Sequence, residues 1–523
     1  MQPIVSSGEM KSLDLLVAKR YSLPLLLLME NAGREIAKSV VSYIANKQIK
    51  KPKILIVAGP GNNGGDGFVC ARHLLAKIDD IAILLIALFD KQYQGDAKVN
   101  YDAITKMAQV DQRIKVVENS LSKLGQFQAD IIIDAIFGTG FKGSPSGIFR
   151  QAIERINRLN GYKISVDIPS GVNGDTGEVA DLAVKADLTI TMGLIKTGQM
   201  LYPGRLFCGR LAVANLGVSY QGLAKTPTFL LDADFVSAYL PKRKPDGHKG
   251  TFGSVLVIAG GNGYSGAACL TSLSALTIGA GIVRLAFPEN IRTAVEKKLT
   301  EVIKVPLPAT NDGSIALAGY SKIKEVAEKS DVIAIGPGLT TNAETKALVQ
   351  KLIRTINLPM VIDADGLNNL SSAYLMSLSK DKRRKLILTP HPGEFARLFE
   401  VSVADVNANR LEIVRQWAEK LASTIVLKGA PTVISDYQGK IYLNPTGNSG
   451  LAKGGSGDVL TGMIAGLIAQ RSSLTNAACL GVYLHGLAAD IAVKNKTEYS
   501  LLASDIIKFI PKALSQFKTK EAL

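Results

Sequence analysis

The chain has 523 residues, more than a single hydrophobic core usually serves, so at least two domains are expected. With 47% hydrophobic and 20% charged residues it has ample material for globular cores, which excludes a disordered chain. A net charge of +16 favours anionic ligands, but the basic clusters Lys242-Arg243-Lys244 and Lys382-Arg383-Arg384-Lys385 are short, far apart and not interleaved with aromatics, which argues against nucleic acid as a partner.

In chain order, Ser12 to Gln48 has helical spacing interrupted near Pro24 and punctuated by Glu30-Asn31-Ala32-Gly33. Short β-branched runs follow at Lys53 to Ala58, Ile81 to Leu88, Asp130 to Ile136, Ile164 to Ile168 and Leu188 to Met192, the composition of buried parallel strands. The first half therefore reads as an open, Rossmann-like three-layer α/β/α sheet. Alternation lapses between about Leu216 and Gly250. There Pro241-Lys242-Arg243-Lys244-Pro245-Asp246-Gly247 is the most linker-like stretch, and the boundary is placed near residue 220. A second α/β series begins with Ser254 to Ala259, Ile282 to Phe287, Val332 to Ile335, Met360 to Ile362, Leu386 to Leu388, Ile425 to Leu427 and Thr432 to Ser435. It closes with helices over Gly457 to Gln470 and Asn476 to Lys494. The apolar runs Leu23 to Met29 and Ile81 to Phe89 fall short of the roughly 20 residues that cross a bilayer. Cys70, Cys208, Cys269 and Cys479 form no disulfide or zinc pattern; with no signal-peptide core, a cytoplasmic protein is expected.

Gly59-Pro60-Gly61-Asn62-Asn63-Gly64 follows a strand, opens a helix and, with Asp90 ending the next strand, satisfies the dinucleotide fingerprint; Gly261-Asn262-Gly263-Tyr264-Ser265-Gly266 satisfies it again. Each fits a plain strand-to-helix turn equally well. The first loop continues as Gly65-Asp66-Gly67, and an acidic residue at a helix start competes with a pyrophosphate for the positive end, which disfavours a simple hydride-transfer enzyme. Two further loops end strands: Asp134 with Phe137-Gly138-Thr139-Gly140-Phe141-Lys142-Gly143-Ser144, and Asp167-Ile168-Pro169-Ser170-Gly171. The carboxyl ends of such strands share one crevice, so Asn62 to Asp66, Asp134, Gly138 to Ser144 and Asp167 are expected to face one ligand, although each aspartate alone would read as a turn or cap.

In the second half, Asn448-Ser449-Gly450-Leu451-Ala452-Lys453-Gly454-Gly455-Ser456-Gly457-Asp458 leads into an apolar helix. Its glycines let backbone N–H groups close round an anion, and Asp458 stands within reach of a hydroxyl that attacks phosphorus. There is no Walker A sequence. Lys428-Gly429-Ala430-Pro431-Thr432 offers backbone donors and a cation to a nucleotide, or is a β-turn. Thr389-Pro390-His391-Pro392-Gly393-Glu394 holds one histidine between prolines. His73, His248 and His485 have no comparable company.

Taken together these motifs resemble the bifunctional NAD(P)H-hydrate repair enzyme family over nearly the whole chain. Residues 1–219 look like its epimerase domain, through Glu30 to Gly33, Gly59 to Asp66, Asp134 to Ser144 and Asp167 to Gly171. Residues 224–518 look like its ribokinase-like dehydratase domain, through Gly336-Pro337-Gly338, Asp363-Ala364-Asp365-Gly366-Leu367-Asn368, Thr389 to Glu394, Lys428 to Thr432 and Asn448 to Asp458. The resemblance implies that Asn62, Asn63, Gly64, Gly65, Asp66, Gly138 to Ser144 and Asp167 bind hydrated NADH or NADPH. It implies a potassium ion at Asn63, Asp134 and Ser170. It also implies substrate contacts from Ala268, Gly338, His391 and Asp458, and nucleotide contacts from Lys428 to Thr432 and Asn448 to Gly457. Asp167 and Asp458 would be catalytic, ADP with magnesium would drive dehydration, and the chain would be a homo-oligomer. The alternatives on residues alone are a ribokinase-like small-molecule kinase joined to a ligand- or RNA-binding module, and a plain NAD-dependent dehydrogenase.

Overall fold

A computed structural model describes residues 1–89, 92–124, 126–220 and 222–517; Asp90 and Lys518, the expected last residue of the second domain, lie outside the described residues. The chain divides into two compact units between Thr226 and Pro227, slightly past the expected boundary, with Met1–Gln2 grouped with the second. The linker-like stretch lies inside the second unit. It is held there by Arg243, whose guanidinium sits 3.7 Å from the Phe252 ring centroid and donates to the Gly279 carbonyl (3.0 Å).

In the first unit the described residues form a seven-stranded parallel sheet in the spatial order Ile114–Glu118, Ala82–Ala87, Lys53–Ala58, Ile131–Ala135, Tyr162–Val166, Leu188–Met192, Arg210–Ala214. Chain order reverses between Lys53–Ala58 and Ile131–Ala135, so their carboxyl ends open the crevice where ligands bind in such sheets. One sheet face packs beneath helices Leu25–Lys47 and Asn62–Lys77, the other beneath Gly147–Arg158. The helix break expected near Pro24 is present, because Pro24 caps Leu25–Lys47. The break expected at Glu30 to Gly33 is absent, since these residues lie within that helix. Gly33 serves close packing instead: a Cβ there would overlap the Val69 side chain of the neighbouring helix and lie 2.9 Å from the Asp66 carbonyl oxygen.

In the second unit the order is Ile303–Leu307, Ile282–Pro288, Ser254–Ile258, Val332–Ile335, Met360–Ile362, Leu386–Leu388, Thr424–Leu427, Val433–Ser435, Ile441–Leu443, Thr228–Leu230. Neighbours are parallel except around Val433–Ser435, which runs against both of its partners. Helix Ser456–Ala469 is buried at all but two of its fourteen residues, explaining why it is apolar all round. It packs on Ser265–Thr277 so closely that a Cβ on Gly466 would lie 2.6 Å from the Ala275 carbonyl oxygen. Among the described residues no helix is long and apolar enough to cross a membrane.

Candidate active sites

In the first unit the switch-point crevice collects the residues the motifs singled out. Helix Asn62–Lys77 starts at Gly61 without a side-chain cap among the described residues, so the amides of Asn62, Asn63 and Gly64 stand at its positive end without intrahelical acceptors. Gly64 and Gly59 must be glycine, because Cβ atoms would overlap the Gly59 and Ile136 carbonyls respectively. Asn63 donates through Nδ2 to the Phe137 carbonyl (3.0 Å), and Gly138 lies between two side chains: a Cβ there would sit 3.1 Å from Asn63 Oδ1 and 3.4 Å from Asp167 Oδ2. The loop beyond is turned by the Phe141 amide on the Gly138 carbonyl (3.1 Å) and by stacking of Phe141 on Phe137, while Gly140, Lys142, Gly143 and Ser144 are exposed.

Asp134 is 1% exposed and accepts four hydrogen bonds: from Ser170 Oγ (2.5 Å) and the Ile136 amide (3.3 Å) on Oδ1, and from Ser165 Oγ (2.9 Å) and the Ser170 amide (2.9 Å) on Oδ2. Burial raises its pKa against those bonds. The Asp167 backbone is left-handed, with φ +61°. Its Oδ1 accepts from Lys196 Nζ (2.5 Å), the Met192 amide (3.0 Å) and Thr191 Oγ1 (3.4 Å), which leaves Oδ2 on the Gly138 side. Lys196 is fully buried, with Nζ also donating to Thr191 Oγ1 (3.0 Å) and the Met192 carbonyl (2.7 Å).

Asp66 is buried one turn into the helix, and its pKa is pushed well up by burial, then by the charges of Asp167 and Asp14. The crevice thus pairs a buried Asp66 with an Asp167 held by a buried ammonium. Lys196 was missed by sequence reasoning; its signal was a lysine directly after the apolar pair Leu194-Ile195, 29 residues from its partner.

In the second unit the strand ends bring together Gly260 to Tyr264, Gly336 to Gly338, Asp363, Thr389 to Glu394, Lys428 to Thr432 and the loop before Ser456–Ala469. That loop enters the helix through Gly455, left-handed at φ +92°. The helix has no side-chain cap among the described residues, so the Gly457 and Asp458 amides in its first turn are open donors. Asn448 is pinned on Asp490, Ser449 on Glu498, and Lys453 on the Tyr499 carbonyl, while Gly454 faces open space.

Beneath Gly457 lies an ion pair that sequence reasoning did not resolve: Lys428 Nζ is 2.6 Å from Asp363 Oδ1 and 3.7 Å from Glu394 Oε2, and Thr461 donates to Asp363 Oδ2 (2.7 Å). A Cβ on Gly457 would sit 3.3 Å from that ammonium. Lys428 is therefore turned inward, and within its turn Gly429 and Ala430 are the exposed residues. Burial works against the charged form of Asp363, but Lys428 and the hydrogen bonds around it keep its pKa below the ordinary value. Asp458 goes the other way: burial, and then the charge of Asp363, push it up to about 6. His391 accepts through Nδ1 from the Gly393 (3.0 Å) and Glu394 (3.3 Å) amides, which leaves Nε2 as its donor, 3.6 Å from Glu394 Oε1. Gly338 lies against Tyr264, whose side chain is 55% exposed and which sequence reasoning passed over. Ala268, the expected substrate contact, is buried with its methyl facing Gly260, and beside it the more open Tyr264 to Ala267 begin the same helix.

A family described as NAD(P)H-hydrate dehydratase matches residues 255–512, and one described as YjeF-related protein N-terminus matches residues 26–198. The bifunctional NAD(P)H-hydrate repair enzyme Nnr of Moorella thermoacetica is 39% identical over 98% of this chain and 96% of its own length; that of Thermofilum pendens is 39% identical over 97% and 95%. Among solved structures, ADP/ATP-dependent NAD(P)H-hydrate dehydratase from Bacillus subtilis, co-crystallised with ATP/Mg2+, is 34% identical. It aligns over 56% of this chain and all of its own, with a TM-score of 0.50. A ribokinase-like superfamily protein from Enterococcus faecalis is 27% identical over 56% of this chain and 98% of its own, also with a TM-score of 0.50.

Proposed function

The chain belongs to the bifunctional NAD(P)H-hydrate repair enzyme family, and from that premise we propose how its residues divide the two reactions. The enzyme interconverts the R and S forms of hydrated NADH or NADPH and dehydrates the S form to NAD(P)H at the expense of a nucleotide.

In the first unit, the Asn62 to Gly64 amides take the pyrophosphate and the Gly138 to Ser144 loop closes over the rest of the dinucleotide. Asp167, held by Lys196, takes the proton of the C6 hydroxyl as the C6–N1 bond breaks and C6 becomes a carbonyl; Asp66, whose pKa is raised by burial, gives a proton to N1, and reversal of both transfers closes the ring with N1 adding to the opposite face of C6. Asn63, Asp134 and Ser170 offer an all-oxygen set that suits potassium and not zinc; since Asp134 already accepts four hydrogen bonds and Ser170 Oγ accepts from the Phe137 amide (2.9 Å), Asn63 Oδ1 is its freest oxygen. Such an ion would add positive charge beside the substrate phosphates.

In the second unit, hydroxide at C6 is a poor leaving group, and phosphorylation makes it a good one. Asp458 takes the hydroxyl proton and the C6 oxygen attacks the terminal phosphoryl of ADP, releasing AMP; the C6–O bond then breaks with loss of phosphate and of a C5 proton, leaving NAD(P)H. The Gly455 to Gly457 backbone stabilises charge on the transferring group. Asp363 and Glu394 are committed to Lys428 and the His391 amide, so magnesium would travel on the nucleotide phosphates. His391 presents its Nε2–H to the substrate.

The observation that carries this reading is Asp458, with its pKa raised to about 6, in the first turn of a helix whose open amides follow a left-handed glycine. We assign ADP as donor; parallel assays with ATP test it, and an ATP-only enzyme would refute the assignment. Phosphate release also separates the reading from a small-molecule kinase, which would accumulate a phosphorylated product. Homo-oligomerisation and a cytoplasmic location belong to the same proposal, as does the absence of a nucleic-acid partner. The last is supported within the second basic cluster, where Lys382 donates to the Ile356 carbonyl and Arg383 to that of Lys420.

A further inference from the structure

A turn that binds an anion must show its N–H groups and turn its carbonyls away. In the turn Lys428 to Thr432 the amides of Gly429, Ala430 and Thr432 have no acceptor among the described residues, and Gly429 and Ala430 are exposed. The carbonyls are taken up by the protein. Arg410, the first residue of helix Arg410–Leu421, donates through Nη2 to the Lys428 carbonyl (3.0 Å) and to the Pro431 carbonyl (3.2 Å), and through Nη1 to Asn407 Oδ1 (3.3 Å). The Gly429 carbonyl accepts from Thr432 Oγ1 (3.1 Å), and the Thr432 carbonyl from the Asn444 amide (3.1 Å). Gly429, at φ +140°, leaves the room this needs: a Cβ there would lie 2.6 Å from Arg410 Nη2.

The Lys428 carbonyl and the Gly429 N–H belong to one planar peptide and point in opposite directions, as do the Pro431 carbonyl and the Thr432 N–H. A guanidinium that grips both carbonyls therefore aims both amides away from itself. Arginine is a costly brace for a turn. Its Nε is buried with no hydrogen-bond partner, and no carboxylate pairs with its charge, among the described residues. Burial lowers its pKa only to about 10, so the charge persists at neutral pH. A half-buried cation without a countercharge loses solvation that a neutral donor would keep, so support of the turn alone does not call for arginine. An anion on the far side of the turn supplies the missing countercharge.

We propose that Arg410 is a positioning residue of the nucleotide site, holding the Lys428 to Thr432 turn from behind so that its amides face the phosphates of ADP, with an unpaired positive charge beneath them. This rests on the assignment of that turn to the nucleotide.

The test is steady-state kinetics of the full chain on the S hydrate, with ADP and hydrate varied in turn, together with melting curves without ADP. Arg410→Met keeps the stem and removes the charge and the donors; Arg410→Lys keeps the charge without the planar fork. The KM for ADP should rise about tenfold in the Met variant and about threefold in the Lys variant. The KM for the hydrate and turnover at saturating ADP should stay within about twofold. The melting temperature should change little, because relief of the unpaired charge offsets the lost hydrogen bonds. An unmoved ADP KM in Arg410→Met would overturn the proposal. So would a parallel rise in both KM values with a lowered melting temperature, which would mark a purely structural residue. If Arg410→Met does not fold, Arg410→Lys decides by the same two criteria. Ala430→Pro, which deletes one outward amide, tests the turn assignment by itself. An unmoved ADP KM there would sink the assignment and the proposal with it, whereas a raised value there beside an unmoved one in Arg410→Met would sink the proposal alone.

Discussion

Replacing Asp458 by Asn should cost activity and add stability, each with its own pH dependence. As a general base the carboxylate contributes about 10²- to 10⁴-fold, or about 3–5 kcal/mol of barrier, so dehydratase turnover should fall by that factor. The stability side follows from its pKa, which burial and then Asp363 raise to about 6, against about 3.9 for an ordinary aspartate. Well below pH 4 the group is protonated whether the chain is folded or not, and wild type and variant should melt together, with only a small gap by pH 4. Between pH 4 and 6 the unfolded chain loses the proton while the folded one keeps it, so the wild type alone loses stability; above pH 6 the gap is constant. A shift of about two units corresponds to at most about 3 kcal/mol, less what solvent screens from this half-buried group. The assay pairs NADH appearance at 340 nm with thermal melting at pH 4 and pH 8, following the transition that ADP shifts. Near-normal turnover would remove Asp458 from the mechanism, and a gap that fails to open with pH would refute the electrostatic account of its environment.

Asp363→Asn should move the acid limb of the dehydratase pH profile to lower pH, because the charge that raises Asp458 is gone while Lys428 remains beside it; an unmoved limb would exclude that coupling. Asp167→Asn should slow epimer exchange by about 10²- to 10⁴-fold while sparing dehydration of isolated S hydrate, as read by chromatography of the two epimers. Gly33→Ala should lower the urea midpoint of the first unit's transition by an amount equivalent to about 1–3 kcal/mol, since its methyl would fall on Val69.

The central parallel strands were legible in the sequence because a strand buried on both faces is written as an unbroken β-branched run, as in Lys53–Ala58 and Leu188–Met192. Ile114–Glu118, Arg210–Ala214 and Ile303–Leu307 were not, because they are edge strands or sit half-exposed with mixed polarity. The glycine loops and strand-end aspartates marked both sites, since the chemistry of a tight turn is local. Lys196 against Asp167 and Lys428 against Asp363 were out of reach: each pair meets only through the fold, 29 and 65 residues apart in sequence. The linker-like Pro241 to Gly247 lies inside the second unit, past the boundary expected near residue 220, because polar turn residues look alike whether they join domains or, as here, lie over an aromatic ring within one.

The most direct test of the account is absorbance at 340 nm as a mixed-epimer hydrate is incubated with the enzyme, ADP and magnesium. Conversion of the whole mixture to NADH is predicted, because one unit supplies the S form that the other consumes. Conversion that stops when the S epimer is exhausted would contradict the epimerase assignment, and no signal with ADP or ATP would contradict the dehydratase.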